Sequence, residues 1–330
     1  VTARRRGLLA GLSLSAALAL APARSRAVQT VRPKRRVTML MGFPEGSAPD
    51  KVARDFLAFL MPHLPGIDID PRNLPGDAGR TMLTALGAAE PNGATVGWVV
   101  TPTLLARIVD RGDPSLAQRI RILGAVEREP VAFVSPSADP ATSIQDIIQR
   151  ASDDAGAVPL GTPPAGSAPH LAALRLQVLA QTQLNIVTFP SPAAARQAVL
   201  AGNVSAAALG LSDVIGDIRD GDLAAIGIAA RRRFGLLPDT PSLDEGGIPL
   251  SAFIRRGIAA PAGTPPDLVA GLLDAMRAAA QDEAFRTKAE ADGYYASWAE
   301  GSDWLAQMRT EQANLAKLWE TNPWLSSSGG

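Results

Sequence analysis

An α/β fold divided into two domains is what the sequence predicts, and three observations carry that expectation. From Val37 onward short apolar runs alternate with amphipathic stretches, the order of a layered fold with parallel strands. The chain has 330 residues, 46% of them apolar, which is enough for two domains that each bury a core. It contains no cysteine, so packing must hold it without disulfides or thiolate metal sites.

The first segment reads as an export signal. Residues 1–27 hold five arginines (Arg4, Arg5, Arg6, Arg24, Arg26) and no acid. A basic start, an apolar run over 8–21 and small residues ending in Ala21-Pro22-Ala23 or Ser25-Arg26-Ala27 have the order of a signal peptide. The run is shorter than the roughly 20 residues that span a bilayer. Arg5-Arg6-Gly7-Leu8-Leu9 resembles a twin-arginine signal, with Arg4 where Ser or Thr is usual. Without residues 1–27 the net charge moves from 0 to −5. Export with no lipid-attachment cysteine points to a free periplasmic protein.

Strands are expected over 37–42, 95–100, 122–126, 131–134, 185–189 and 223–229, where apolar residues run together. After Pro49, the residues Val52, Phe56 and Phe59/Leu60 share a helical face. Thr264-Pro265-Pro266-Asp267 offers a cap, an early proline and a first-turn acid ahead of the stripe Val269, Leu272, Met276, Ala279. Leu305, Met308, Leu315 and Trp319 mark a last helix, with Gln312 interrupting the face. Residues 320–330, ending Ser-Ser-Ser-Gly-Gly, are expected to be a disordered tail.

Catalytic signatures mostly fail. Two histidines, His63 and His170, make neither a metal cluster nor an H-E-x-x-H helix. No G-x-S-x-G occurs, and the 161–166 loop has Walker glycine spacing without the lysine. Scattered aromatics, 5% of the chain, argue against base stacking. Arg231-Arg232-Arg233 and Arg255-Arg256 read as solvated faces, because the mature charge is negative. Neither a cofactor, a metal nor a nucleic acid is expected.

One internal echo stands out. Gly46-Ser47-Ala48-Pro49-Asp50 and Gly166-Ser167-Ala168-Pro169-His170 share Gly-Ser-Ala-Pro, each after an apolar segment and before a helical stripe. Ser fits the N-cap and Pro an early helical position whose missing N–H is no loss. Such turns aim backbone N–H groups, a hydroxyl and the positive helix end at one spot, which suits a carboxylate. A pair facing across a cleft would grip a small dianion at both ends. Two capped helices with no ligand explain either turn alone. Ser167 and His170, three apart, also admit a hydrolase or lyase reading.

Six segments in order resemble a known family. Phe43-Pro44-Glu45-Gly46-Ser47-Ala48-Pro49-Asp50 resembles the first ligand loop, F-x-A-G-G-x-x-D, of Bug-type receptors, the substrate-binding proteins of tripartite tricarboxylate transporters. Asn73-Leu74-Pro75-Gly76-Asp77-Ala78-Gly79 resembles their N-R-P-G-A-G-G, Pro91-Asn92-Gly93 their P-D-G, and Ser167-Ala168-Pro169-His170-Leu171 their S-x-x-H-L. Leu237-Pro238-Asp239-Thr240-Pro241-Ser242 and Ala260-Pro261-Ala262-Gly263-Thr264-Pro265 are similar to L-P-D-V-P-T and A-P-A-G-T-P. The similarity runs from Val37 to Trp319.

The resemblance implies a two-domain periplasmic-binding-protein fold of type II-like form, with a hinged cleft and no catalysis. Domain one would comprise 28–127 plus 254–319, and domain two 128–253. It implies ligand contacts from Phe43, Pro44, Glu45, Gly46, Ser47, Ala48 and Asp50, and from Gly166, Ser167, Ala168 and His170. Thr101, Thr162 and Ser191, just past strand-like runs, complete the set. The ligand would be a small organic acid or a zwitterion, held partly through ordered water. Partners would be transporter membrane subunits or a sensor kinase, and the receptor a monomer. Glu45 departs from the family's Ala, Ser47 from its second Gly, Phe189-Pro190-Ser191-Pro192 from V-P-Y-K-G, and Ser205 from an Asp. Either Glu45 points outward and only favours the helix N-terminus, or the ligand carries a positive group.

Overall fold

The structure is a computed structural model that describes residues 35–138 and 143–325. The expected signal segment and residues 326–330 lie outside the described residues. β1 (Arg35–Met41) leads through α1 (Ala48–Leu60), β2 (Ile67–Asn73) and α2 (Arg80–Ala88) to β3 (Thr95–Thr101) and α3 (Thr103–Asp110). A short α4 (Ser115–Gln118) precedes β4 (Ile120–Pro136), a strand of 17 residues. Next come α5 (Ile144–Asp153), β5 (Pro159–Thr162), α6 (Ala168–Ala180), β6 (Asn185–Thr188), α7 (Pro192–Leu200) and β7 (Ala206–Gly210). After α8 (Leu211–Asp220) and β8 (Leu223–Ile228), the chain returns along β9 (Phe253–Pro261). It finishes with α9 (Pro266–Gln281), α10 (Glu283–Ala291), β10 (Tyr295–Glu300) and α11 (Gly301–Thr321).

The strand order is β2-β1-β3-β9-β4-β7-β5-β6, with β8 and β10 also pairing with β4. β1 pairs in parallel with β2 and β3, and β5 in parallel with β6 and β7. The expected parallel sheet therefore holds within each half and fails where the halves meet. There β9 runs antiparallel to β3 and β4, and β4 antiparallel to β7, β8 and β10. The two strands expected over 122–126 and 131–134 are one. The charged stretch Glu127-Arg128-Glu129 looks like a break in sequence, yet both glutamates are buried and the ladder to β9 continues through them.

The helical stripes pack as their spacing dictates. Val52, Phe56 and Leu60 of α1 are buried, and the Phe56 ring lies 5.6 Å from Trp98 and 5.3 Å from Phe285. Val269, Leu272, Met276 and Ala279 of α9 are buried too. Its cap differs from expectation: Pro265 is the N-cap, and the Thr264 hydroxyl instead donates to the Pro261 carbonyl at 2.7 Å.

On α11 the buried face is Trp304, Met308, Leu315 and Leu318, whereas Leu305 is 38% exposed. Trp304 turns the helix, because its Nε1 donates to Thr101 Oγ1 at 3.1 Å and its ring closes over Gly257. Within the expected tail, the described residues up to Leu325 pack against the fold. Trp324 is buried, packs edge-on against Trp319 at 4.7 Å and donates from Nε1 to Asp110 Oδ2 at 2.9 Å.

Candidate functional site

The two echoed segments fold alike. Gly46 and Gly166 have φ of 76° and 78°, a left-handed conformation that glycine adopts without penalty. Ser47 and Ser167 are the N-caps of α1 and α6, with φ/ψ of −71°/160° and −68°/157°. In each turn the serine N–H donates to a proline carbonyl three residues back: Ser47 to Pro44 at 3.3 Å, Ser167 to Pro164 at 3.0 Å. In each, the residue at the third helical position takes the glycine N–H. Asp50 Oδ2 accepts from Gly46 at 2.9 Å and His170 Nδ1 from Gly166 at 3.4 Å. The first N–H groups of both helices, on Ala48 and Ala168, have no acceptor within the helix.

Both turns line one cavity of about 420 Å³. Two more helix N-termini reach it. Ser191, N-cap of α7, accepts from Ala194 N at 3.1 Å, and α8 brings Ser212 and Asp213 in its first turn. Trp98, Val100, Met82, Leu83, Leu104 and Ile254 supply apolar wall, and the loop Pro75, Gly76, Ala78, Gly79 a further side. Four helix N-termini around an apolar chamber give it the backbone N–H donors and positive dipole ends that suit an anion.

Of the expected residues, Phe43, Pro44, Ser47, Ser167, Ala168 and Ser191 line the cavity. Gly46, Ala48 and Gly166 shape the turns from behind it. Asp50 and His170 are buried buckles. Burial opposes the Asp50 charge, but hydrogen bonds from Arg54, Asn73 and Gly46 outweigh it and hold the carboxyl below its ordinary range. Burial, with Arg107 nearby, pushes His170 down to about 4, so the imidazole is neutral.

Ser167 Oγ accepts the backbone N–H of His170 at 3.4 Å, and the His170 ring is engaged with Gly166. Those contacts make a cap, not a nucleophile and its base. Thr101 holds Trp304, and Thr162 is fully buried with its hydroxyl on the Pro163 carbonyl at 3.1 Å. The Glu45 side chain is 81% exposed, 3.7 Å from Arg54 and off the cavity wall, in keeping with the outward alternative.

Sequence reasoning missed a polar end of the cavity. Arg256, expected on a solvated face, is 5% exposed and lines the wall. Its guanidinium meets Glu129 and lies 3.5 Å from Glu127, both fully buried. Glu129 Oε1 also accepts Ser212 N at 2.7 Å and so caps α8. Burial pushes Glu127 up to about 8, and burial with the Glu129 charge pushes Asp213 up to about 7. Burial also works against the Arg256 charge, but its acids hold it firmly protonated. A signal existed in sequence, since Glu127, Glu129 and Arg256 interrupt otherwise apolar runs.

Comparisons with known proteins give the family and the fold. A family model described as the tripartite tricarboxylate transporter family receptor matches residues 70–318. A UPF0065 protein of Bordetella bronchiseptica is 26% identical over 324 residues, covering 96% of each chain. The periplasmic binding protein BugD superposes with a TM-score of 0.76 at 22% identity, over 88% of this chain and 98% of that one. An R. palustris protein solved with adipate gives 0.79 at 22%, over 88% and 97%.

Proposed function

The chain belongs to the tripartite tricarboxylate transporter receptor family, and from that premise we propose that it is a periplasmic receptor capturing a small carboxylate-bearing metabolite. One observation carries the reading: two turns of the same backbone conformation present helix N-termini to a single cavity. Adipate in a structural neighbour supports the ligand class, and the basic, apolar, small-residue order of residues 1–27 supports export. The domains are 28–127 plus 254–319 and 128–253. The sheet supports this division, because β4 leaves β9 for β7 just past the first boundary, between Pro130 and Val131, and the chain returns along β9 from Phe253. Phe43, Pro44, Ser47, Ser167, Ala168 and Ser191 contact the ligand directly, and closure of the cleft brings both turns onto it. Membrane subunits of a tripartite transporter receive the cargo.

A thermal-shift screen of small carboxylates on chain beginning at Val28, followed by calorimetry, tests this. At least one carboxylate should raise the midpoint by several degrees and bind with one-to-one stoichiometry. No shift with any mono-, di- or tricarboxylate would overturn the proposal.

A further inference from the structure

We propose that a basic groove on the back of β4 and β9 is a docking site for an acidic peptide segment of a partner protein. Such a site is independent of what the cleft binds. Residues along a strand alternate between its two faces, and that alternation separates the groove from the cleft. Ile254 and Arg256 of β9 line the cleft cavity, whereas Phe253 and Arg255 line a second hollow of about 870 Å³. Its floor is the cross-strand row Tyr295, Arg128 and Arg255, one residue each from β10, β4 and β9. Arg231, Arg232 and Arg233, in the loop after β8, and residues of α11 complete the lining.

The charge here runs against that of the chain. Residues 28–330 carry a net charge of −5, yet five arginines and a single acid, Glu311, border the groove. Glu311 is taken by Arg175 at 2.5 Å, and Arg233 is taken by Glu245 at 3.0 Å. Among the described residues, Arg128, Arg231, Arg232 and Arg255 have neither an ion-pair nor a hydrogen-bond partner.

The floor pair is the telling part. Arg128 and Arg255 are half-buried and stand directly opposite each other in the β4–β9 ladder, where like charges repel. Burial, and then the Arg128 charge, push the Arg255 guanidinium below its ordinary pKa. The Arg128 guanidinium stacks 3.7 Å from the centre of the Phe253 ring, and its Nε is buried without a partner. Stacking fixes the plane of a guanidinium and leaves its N–H edges for a carboxylate. The fold therefore carries positive charge that an incoming anion completes.

The shape selects among anions. Four unpaired cations drawn from β4, β9 and the loop after β8 match several carboxylates in succession, which a run of Asp or Glu supplies and one small ion does not. A flat anionic bilayer reaches the exposed Arg231 and Arg232 but not a pair recessed in the floor. A segment seated there touches the two strands that also line the cleft.

Hexaglutamate is the probe, titrated calorimetrically at low salt and about pH 7.5 into chain beginning at Val28, which lacks the five arginines of residues 1–27. It should bind one-to-one and weaken steeply as salt is added. Arg231→Glu with Arg232→Glu should weaken binding by roughly tenfold or more. Arg286→Glu with Lys317→Glu makes the same charge change at exposed positions outside the groove and should leave affinity within about twofold. Arg255→Met should lose roughly tenfold in affinity yet melt no lower than the wild type, because it relieves the repulsion with Arg128. That variant carries the test if the charge reversals fail to fold. No binding of hexaglutamate, or equal weakening by the two pairs of reversals, would overturn the proposal. So would tighter binding of pyrophosphate, which would make the groove a small-anion site, or of phosphatidylglycerol vesicles, which would make it a membrane-facing surface.

Discussion

Gly46 and Gly166 share a backbone conformation but not surroundings, and the difference is measurable. A Cβ at Gly46 meets nothing within 4 Å, so Gly46→Ala bears only the left-handed strain of about 1–2 kcal/mol. A Cβ at Gly166 would stand 1.8 Å from Arg107 Nη2. Arg107 is buried and held by Asp110 at 2.7 Å and the Ala165 carbonyl at 2.9 Å, so it cannot simply retreat. Gly166→Ala should lose about 2–4 kcal/mol in denaturant unfolding, clearly more than its twin. Equal losses would mean that Arg107 yields. His170 gives a second test at this scale. Its folded pKa, near 4, lies below the ordinary 6.5, so the unfolded chain binds the extra proton first. Stability from this residue is complete above pH 6.5 and is lost as pH falls toward 4, on the order of 2–3 kcal/mol. Asp213 and Glu127 shift the other way, so the useful quantity is the difference between wild type and His170→Asn. Parallel stability curves between pH 4 and 6.5 would exclude the effect. The echoed Gly-Ser-Ala-Pro was legible because capping is local chemistry, whereas the roles of Asp50 and His170 depend on which way a buried side chain turns.

The C-terminal segment acts on the second turn through a relay of named contacts. Trp324 Nε1 holds Asp110, Asp110 holds Arg107, and Arg107 Nη2 holds the carbonyl of Ala165, one residue before Gly166. Trp324→Phe keeps an aromatic ring, though a smaller one, and removes the donor. Hydrogen exchange over 163–171 should then accelerate severalfold, while exchange over 43–51, in the first turn, should stay as it was. Unchanged protection over 163–171 would show that Asp110 needs no such support. Elements with a strong apolar period, α1, α9 and β1 among them, were readable from sequence. Those that escaped had physical reasons. β2 alternates Ile67-Asp68-Ile69-Asp70 and carries Pro71, which an edge strand bonded only to β1 tolerates. β9 hid behind Arg255-Arg256, since burial of an arginine is decided by a partner on another strand.

At the scale of the molecule the two sheet halves are joined by β4 and β9, and the charged cluster lies on those strands. Arg256 sits opposite Glu127 in the β9–β4 register, a pairing across more than a hundred residues that no local pattern announces. The family motifs foretold the fold and the turns, but they were silent about this crossing. Its electrostatics yield a test of what binds the halves together. Arg256→Met removes the shared cation and leaves Glu127 and Glu129 buried without it, which should cost about 3–5 kcal/mol. The penalty should depend on pH. Glu127, already raised to about 8 with its arginine present, sheds the strain by taking up a proton once the cation is gone. The destabilisation should thus be greatest at pH 8 and shrink toward pH 5, as protons replace the missing charge. Adding Glu129→Gln to Arg256→Met should recover part of the loss at pH 8 and little at pH 5. Denaturant unfolding at both values distinguishes this from packing alone: a lost guanidinium stem would destabilise equally at either pH and would not be rescued by neutralising Glu129.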